Sequence, residues 1–244
     1  MMAAEKTKCT ENERSDAAAT RTPQQARRPR RNAPTKEETA GLVPFSILPL
    51  TCIVVPAGEA ACQRAVDDLL QAGIVGFDTE SKPIFTQGAL DDGPHIVQFS
   101  TMQKAYIFQL HRPECEVAVA QLLASDRLLK AGFGLQSDIS HVNRRFGLQI
   151  KAVLDVNTVF KLLGYKSSTG LRAGVAIAFN QRLHKSKRIT TSNWSLHRLS
   201  DAQLVYAAND AYAALCVLLE VNRTHDNWQK ALPPPLPDLL KAAR

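Results

Sequence analysis

Cysteine is sparse and unpaired in this 244-residue chain: Cys9, Cys52, Cys62, Cys115 and Cys216 make an odd number, scattered, with no Cys-x-x-Cys among them. That argues against a disulfide framework and against a zinc site, and it fits a reducing compartment. No apolar run approaches the roughly 20 residues that a bilayer-spanning segment needs, so no contact with a membrane is expected. The amino-terminal segment lacks the apolar core of a secretion signal, and its acidic residues argue against a transit peptide. The expected location is therefore the cytoplasm of a bacterium or the nucleus of a eukaryote, with secretion excluded. Internal repeats are absent, and nothing marks a second enzymatic domain.

What is present begins with charge. The net charge is +7 and the isoelectric point about 9.3, a balance that favours a polyanionic partner. Residues 1–45 hold nine Lys/Arg against six Asp/Glu, including Arg27-Arg28-Pro29-Arg30-Arg31, with almost no periodic apolar content. They read as a disordered basic arm. The arginine cluster suits a nuclear signal, a phosphate anchor or a solvated tail without a dedicated role. Residues 226–244 read as a Pro-rich tail, because Leu232-Pro233-Pro234-Pro235-Leu236-Pro237 breaks any helix, with one short turn expected at Asp238–Arg244. The body, 46–225, contains apolar residues enough for one core.

That body predicts strands near Thr51–Val55, at the apolar run Ile74–Phe77, and at Gly93–Ser100, Lys104–Gln109, Leu129–Phe133 and Lys151–Asp155. Helices are predicted near Gly58–Ala72, Pro113–Ser125, from Asp138 to a stop at Gly147, and over Val156–Gly164, Leu171–Phe179 and Ser200–Asn222, the last capped by Ser200. A strand meander followed by alternating strands and helices gives an α/β fold, a mixed sheet flanked by helices.

Four carboxylates and one tyrosine occupy three short segments of this body. Asp78 and Glu80 end the Ile74–Phe77 run, and residues two apart on a strand share a face. Tyr206 and Asp210 are four apart in a helical stretch and stack on one side of it. Asp138 lies between, in GFGLQSDISHV. Each has a plainer reading alone: Asp78 and Glu80 as turn or cap residues, Asp138 as a helix cap, Tyr206 as core packing, Asp210 as a solvated helix residue. Acidic groups sharing a small site resist ionising together, and hard divalent cations such as Mg²⁺ or Mn²⁺ relieve that by binding carboxylate oxygens. Together the residues point to a two-metal phosphoryl-transfer site.

Asp-x-Glu after a strand, Gly-x-x-x-Asp in the middle and Tyr-x-x-x-Asp near the end resemble the DEDDy 3′–5′ exonucleases, in particular the ribonuclease D and Werner-syndrome exonuclease branch. His184-Lys185-Ser186-Lys187-Arg188, followed by Ser192-Asn193-Trp194-Ser195, is similar to the basic stretch and Asn-Trp pair of that branch. The resemblance runs from about Ile53 to about Glu220 and implies a ribonuclease H-like fold over 46–225. It implies that Asp78, Glu80 and Asp210 ligate a first metal, that Asp78 bridges to a second held by Asp138, and that Tyr206 orients the attacking water. It also implies release of 5′-mononucleotides from a 3′ end. Lys185, Lys187 and Arg188 are candidates for pairing with strand phosphates or form a solvated basic loop. Phe85 is a candidate to touch a terminal nucleotide, and Trp194 is a candidate to stack on a base or to anchor its loop. Helical RNA-binding domains follow the exonuclease in ribonuclease D relatives, and none is read here after the third motif. The expected substrate is therefore a single-stranded or recessed 3′ end of DNA, with RNA possible. The alternatives are an RNA-processing exoribonuclease and a nucleic-acid-binding module without turnover.

Overall fold

In the computed structural model, which describes residues 31–83, 93–166 and 168–241, a six-stranded mixed sheet lies between two helical layers. The elements run α1 (Lys36–Thr39), β1 (Val43–Pro44), β2 (Ile53–Val54), α2 (Glu59–Ala72), β3 (Ile74–Glu80), β4 (Ile96–Ser100), β5 (Ala105–Gln109), α3 (Pro113–Ala124) and β6 (Leu129–Gly132). They continue with α4 (Gln136–Phe146), β7 (Val153–Asp155), α5 (Val156–Leu162), α6 (Gly170–Phe179), β8 (Gln181–Arg182), α7 (Lys187–Thr190), α8 (Asp201–Thr224) and α9 (Leu236–Lys241). The strand order is β2-β5-β4-β3-β6-β7. The meander β3-β4-β5 is antiparallel, whereas β6 and β7 join it in parallel after helical crossovers.

Alternation along β3 divides the core. Val75 and Phe77 face Leu69 of α2 and Leu122 of α3, whereas Ile74 belongs to the apolar cluster built around α5, α6 and α8. Gly76, Asp78 and Glu80 share the face of Ile74, so the carboxylates point toward the α8 layer. Strand β6 pairs with β3 only at Ile74–Gly76. The carboxyl end of β3 therefore runs past its parallel neighbour, which leaves Asp78 and Glu80 at an open end of the sheet.

Helix α8 begins at Ser200, whose hydroxyl accepts from Gln203 N while Gln203 Oε1 accepts from Ser200 N, a reciprocal cap. Ala207, Ala208, Ala211 and Ala214 are buried and let its backbone approach the sheet. The approach is closest at Gly76, where a Cβ would sit 1.8 Å from Ala211 O. By length and composition α8 would pass for a membrane span, with a mean hydropathy of 1.5 that its many alanines sustain, although polar residues interrupt every apolar run in it. Two-thirds of that stretch is buried inside the protein, as the core helix of a globular fold.

The ends differ from the sequence reading. Residues 31–45, expected within the basic arm, include β1, which pairs in parallel with β8 at Val43↔Gln181. The arginines at 27, 28 and 30 lie outside the described residues. In the expected tail, Trp228, Leu232, Leu236 and Leu240 are buried in the α8 cluster, and Leu236–Lys241 forms α9, which begins inside the proline run with Pro237 as its second residue. Apolar residues at spacing four across a proline-broken stretch supply the burial that propensity alone hides.

Candidate active site

Three carboxylates converge at the open end of β3. One oxygen each from Asp78, Glu80 and Asp210 lie within 4.8 Å of one another. Asp78 and Glu80 arrive from the strand, and Asp210, only 5% exposed, descends from α8. The neighbouring Asn209 fixes that segment by accepting from Leu48 N at 2.7 Å and donating to Leu48 O at 3.2 Å. Asp138 approaches from the first turn of α4, on the other layer, and accepts a hydrogen bond from the Thr79 hydroxyl. It neighbours the trio without belonging to it.

The electrostatics are those of crowded, dry carboxylates. Burial raises Asp78 well above the ordinary carboxylate range, and repulsion from Asp138 and Asp210 raises it further. Burial, then Asp78 and Asp210, pushes Glu80 up to about 10. Burial also raises Asp210 and Asp138, against Lys185 on the first and Thr79 on the second. An all-oxygen donor set whose members resist ionising together fits a hard divalent cation. The protein already supplies one positive charge there: Lys185 Nζ lies 2.6 Å from Asp210 Oδ2 and 5.4 Å from the centre of the Tyr206 ring. Burial opposes charge on Lys185, but Asp210 and Tyr206 hold its affinity for a proton above the usual value.

Lys185 thus turns inward onto a carboxylate, where the sequence suggested a phosphate contact. Lys187 and Arg188 are exposed in the short helix α7, in a stretch read as a turn. Trp194 cannot stack on a base: it is fully buried, donates from Nε1 to Thr190 O at 3.3 Å and anchors its loop against Tyr206, the ring centres 6.1 Å apart. Phe85 lies outside the described residues. Tyr206 shares a 2.8 Å hydrogen bond with the Thr190 hydroxyl, and burial followed by Asp210 pushes its phenol up to about 12.

Three contributors were missed in the sequence. Thr79 sits between the two motif carboxylates and holds Asp138. Gln98, directly opposite Asp78 in the β3–β4 register, is fully buried with neither amide atom partnered within the protein. Arg172 donates from Nη2 to Lys185 O at 2.9 Å and so places the lysine. Only Thr79 carried a signal, its place inside Asp-x-Glu.

A sheet of this order with such a cluster at the end of its central strand defines a ribonuclease H-like nuclease fold. It is similar to the exonuclease domain of Aedes aegypti Nibbler, with a TM-score of 0.61 at 22% identity, over 80% of this chain and 97% of that one. The family model described as a 3′–5′ exonuclease matches residues 53–222, and the chain belongs to that family. A mouse protein named bifunctional 3′–5′ exonuclease/ATP-dependent helicase WRN is 28% identical over 163 residues, 66% of this chain and 12% of its own length. An Arabidopsis thaliana protein named 3′–5′ exonuclease is 30% identical over 145 residues, 57% of this chain and 49% of its own length. The chain therefore spans less than half of either relative.

Proposed function

We propose that this chain hydrolyses phosphodiester bonds one nucleotide at a time from the 3′ end of single-stranded or recessed nucleic acid, releasing 5′-mononucleotides. The observation that carries the reading is the convergence of Asp78, Glu80 and Asp210 within 4.8 Å beside Tyr206, in a chain of the 3′–5′ exonuclease family. Asp78, Glu80 and Asp210 would hold one divalent ion, and Asp78 with Asp138 a second, Mg²⁺ or Mn²⁺. Such ions, when bound, supply Lewis-acid stabilisation of the attacking and leaving oxygens and lower the pKa of bound water. Tyr206 does not act as the base, because a phenol raised to about 12 stays protonated at neutral pH; its hydroxyl orients the water by a hydrogen bond. Thr79 holds Asp138 beside β3 through its hydroxyl. Lys185 neutralises Asp210 in the metal-free protein, and its ammonium would be available to a substrate phosphate if a divalent ion held Asp210. Lys187 and Arg188, exposed on α7, meet strand phosphates. With Trp194 buried, Ile189 and Val205, in a cleft of about 530 Å³ beside Tyr206 and Asp210, offer a base an apolar surface among the described residues.

The test uses 5′-labelled DNA and RNA oligonucleotides with Mg²⁺, Mn²⁺ or EDTA. A ladder shortening from the 3′ end with either metal and silence in EDTA are expected, and the better substrate assigns DNA or RNA. Asp78→Ala and Asp210→Ala should abolish the ladder. Asp78→Ala should keep or raise the stability of the metal-free protein, because it relieves repulsion, whereas Asp210→Ala also strips the partly buried Lys185 of its partner and should lower it. Binding without cleavage by the parent would identify a silent binding module. Full activity in either variant would overturn the metal-ligand assignment.

A further inference from the structure

Beside the carboxylates, on the far side of Lys185, lies a second cavity of about 300 Å³ lined by Lys36, Thr169, Gly170, Leu171, Arg172 and Lys185, among others. Its floor is the amino end of α6. The preceding residue, Thr169, stands in the cap position with helical backbone angles (φ −74°, ψ −41°) and makes no capping hydrogen bond. Helix starts normally recruit such a hydroxyl to the free N–H groups of the first turn. Asn157 Oδ1 takes Gly170 N at 2.9 Å, and among the described residues no side chain caps the turn beyond it. Thr169 is only 7% exposed, and its hydroxyl has no hydrogen-bond partner within the protein. A buried hydroxyl left unpaired is destabilising, so the arrangement suits an acceptor arriving from outside.

The surrounding charge specifies that acceptor. Lys36, Arg172 and Lys185 line the cavity, the last with its ammonium already paired to Asp210, and among the described residues no carboxylate does. A helix amino terminus with free N–H groups and basic side chains around it is suited to a phosphate. Lys185 joins the two sites: its carbonyl is held by Arg172 at the cavity, and its ammonium reaches Asp210 in the carboxylate cluster. We propose that this cavity binds a backbone phosphate of the substrate strand other than the one being cleaved, through the Thr169 hydroxyl, the first turn of α6 and Lys36. The proposal rests on the reading of the chain as a nuclease acting on a strand.

The test compares the parent with Lys36→Ala, Thr169→Val and the double variant, binding a labelled dinucleotide and a hexanucleotide with Ca²⁺ in place of Mg²⁺. The parent should prefer the hexanucleotide. The double variant should bind the hexanucleotide roughly tenfold more weakly, with a log–log salt slope shallower by about 0.7 for one lost phosphate contact. Its affinity gap between the two lengths should narrow. Thr169→Val should unfold in urea at the same or higher concentration than the parent, since it removes an unpaired polar group. Unchanged hexanucleotide affinity and slope in the double variant would overturn the proposal, as would loss of stability in Thr169→Val with binding intact. Perturbation of the Leu171 amide resonance by inorganic phosphate, without any effect of the variants on oligonucleotide binding, would assign the cavity to free phosphate and also overturn it. Retained variant effects in a parent that binds but never cleaves would instead count against the exonuclease reading.

Discussion

Tyr206 separates two kinds of role within one side chain. Its ring packs on Trp194 and under Lys185, while its hydroxyl bonds with Thr190 at the edge of the carboxylate cluster. Tyr206→Phe removes only the hydroxyl, so packing and metal affinity should persist while turnover falls by roughly 10²–10⁴, the usual scale for a positioned acid–base or hydrogen-bonding group. Single-turnover rates together with metal titration check this, and an unchanged rate would make Tyr206 a packing residue alone. The residues that met here were legible because spacing encodes facing: two apart on a strand for Asp78 and Glu80, four apart on a helix for Tyr206 and Asp210. Lys185 was legible as a cation but not as Asp210's partner. A run of basic residues does not say which one turns inward, and the choice falls to Arg172, thirteen residues upstream, which holds the Lys185 carbonyl. Trp194 had two readings, and complete burial selects the anchor.

Between elements, the site depends on how closely α8 settles on β3. Gly76 permits it, because any Cβ there would meet backbone atoms of Ala211, which cannot rotate away. Gly76→Ala should cost more than about 3 kcal/mol, beyond the usual range for overpacking. It should also lift Asp210, one residue before Ala211, away from Asp78. Urea unfolding would show the first effect and loss of metal-dependent activity the second; a stable and active variant would mean that α8 rides on the sheet with slack. The long elements around this contact were legible from period and caps, including the reciprocal Ser200–Gln203 cap. The two-residue strands β1 and β8 were not, since Val43–Pro44 and Gln181–Arg182 are too short to show a period and exist through pairing distant in sequence. Proline masked α9 in the same way, although its buried Leu236 and Leu240 belong to the core.

Across the whole molecule, function and stability pull the carboxylate cluster in opposite directions. Glu80, whose ordinary value is 4.5, is raised to about 10 by burial, then by Asp78 and Asp210, and Asp78 and Asp210 are raised as well. A group whose pKa is raised by folding contributes stability that is fully present below its unfolded value and is lost as pH rises through the folded one. The metal-free protein should accordingly lose stability from this cluster between about pH 4.5 and about pH 10. Divalent ions bind the ionised carboxylates, so protons compete with them at the acid end. The gain in melting temperature on adding Mn²⁺ to EDTA-treated protein should therefore be small at pH 5.5 and grow toward pH 8.5. At a hundredfold excess over Kd the gain is about 2.7 kcal/mol, or roughly 5–10 °C for a chain of this size. Asp210→Ala should flatten both curves, because it removes one ligand and one source of repulsion and leaves Lys185 to offset the charge of Asp78 and Glu80. A metal-induced shift that stays constant across this pH range in the parent would show that the ions stabilise the fold at some other place than Asp78, Glu80 and Asp210.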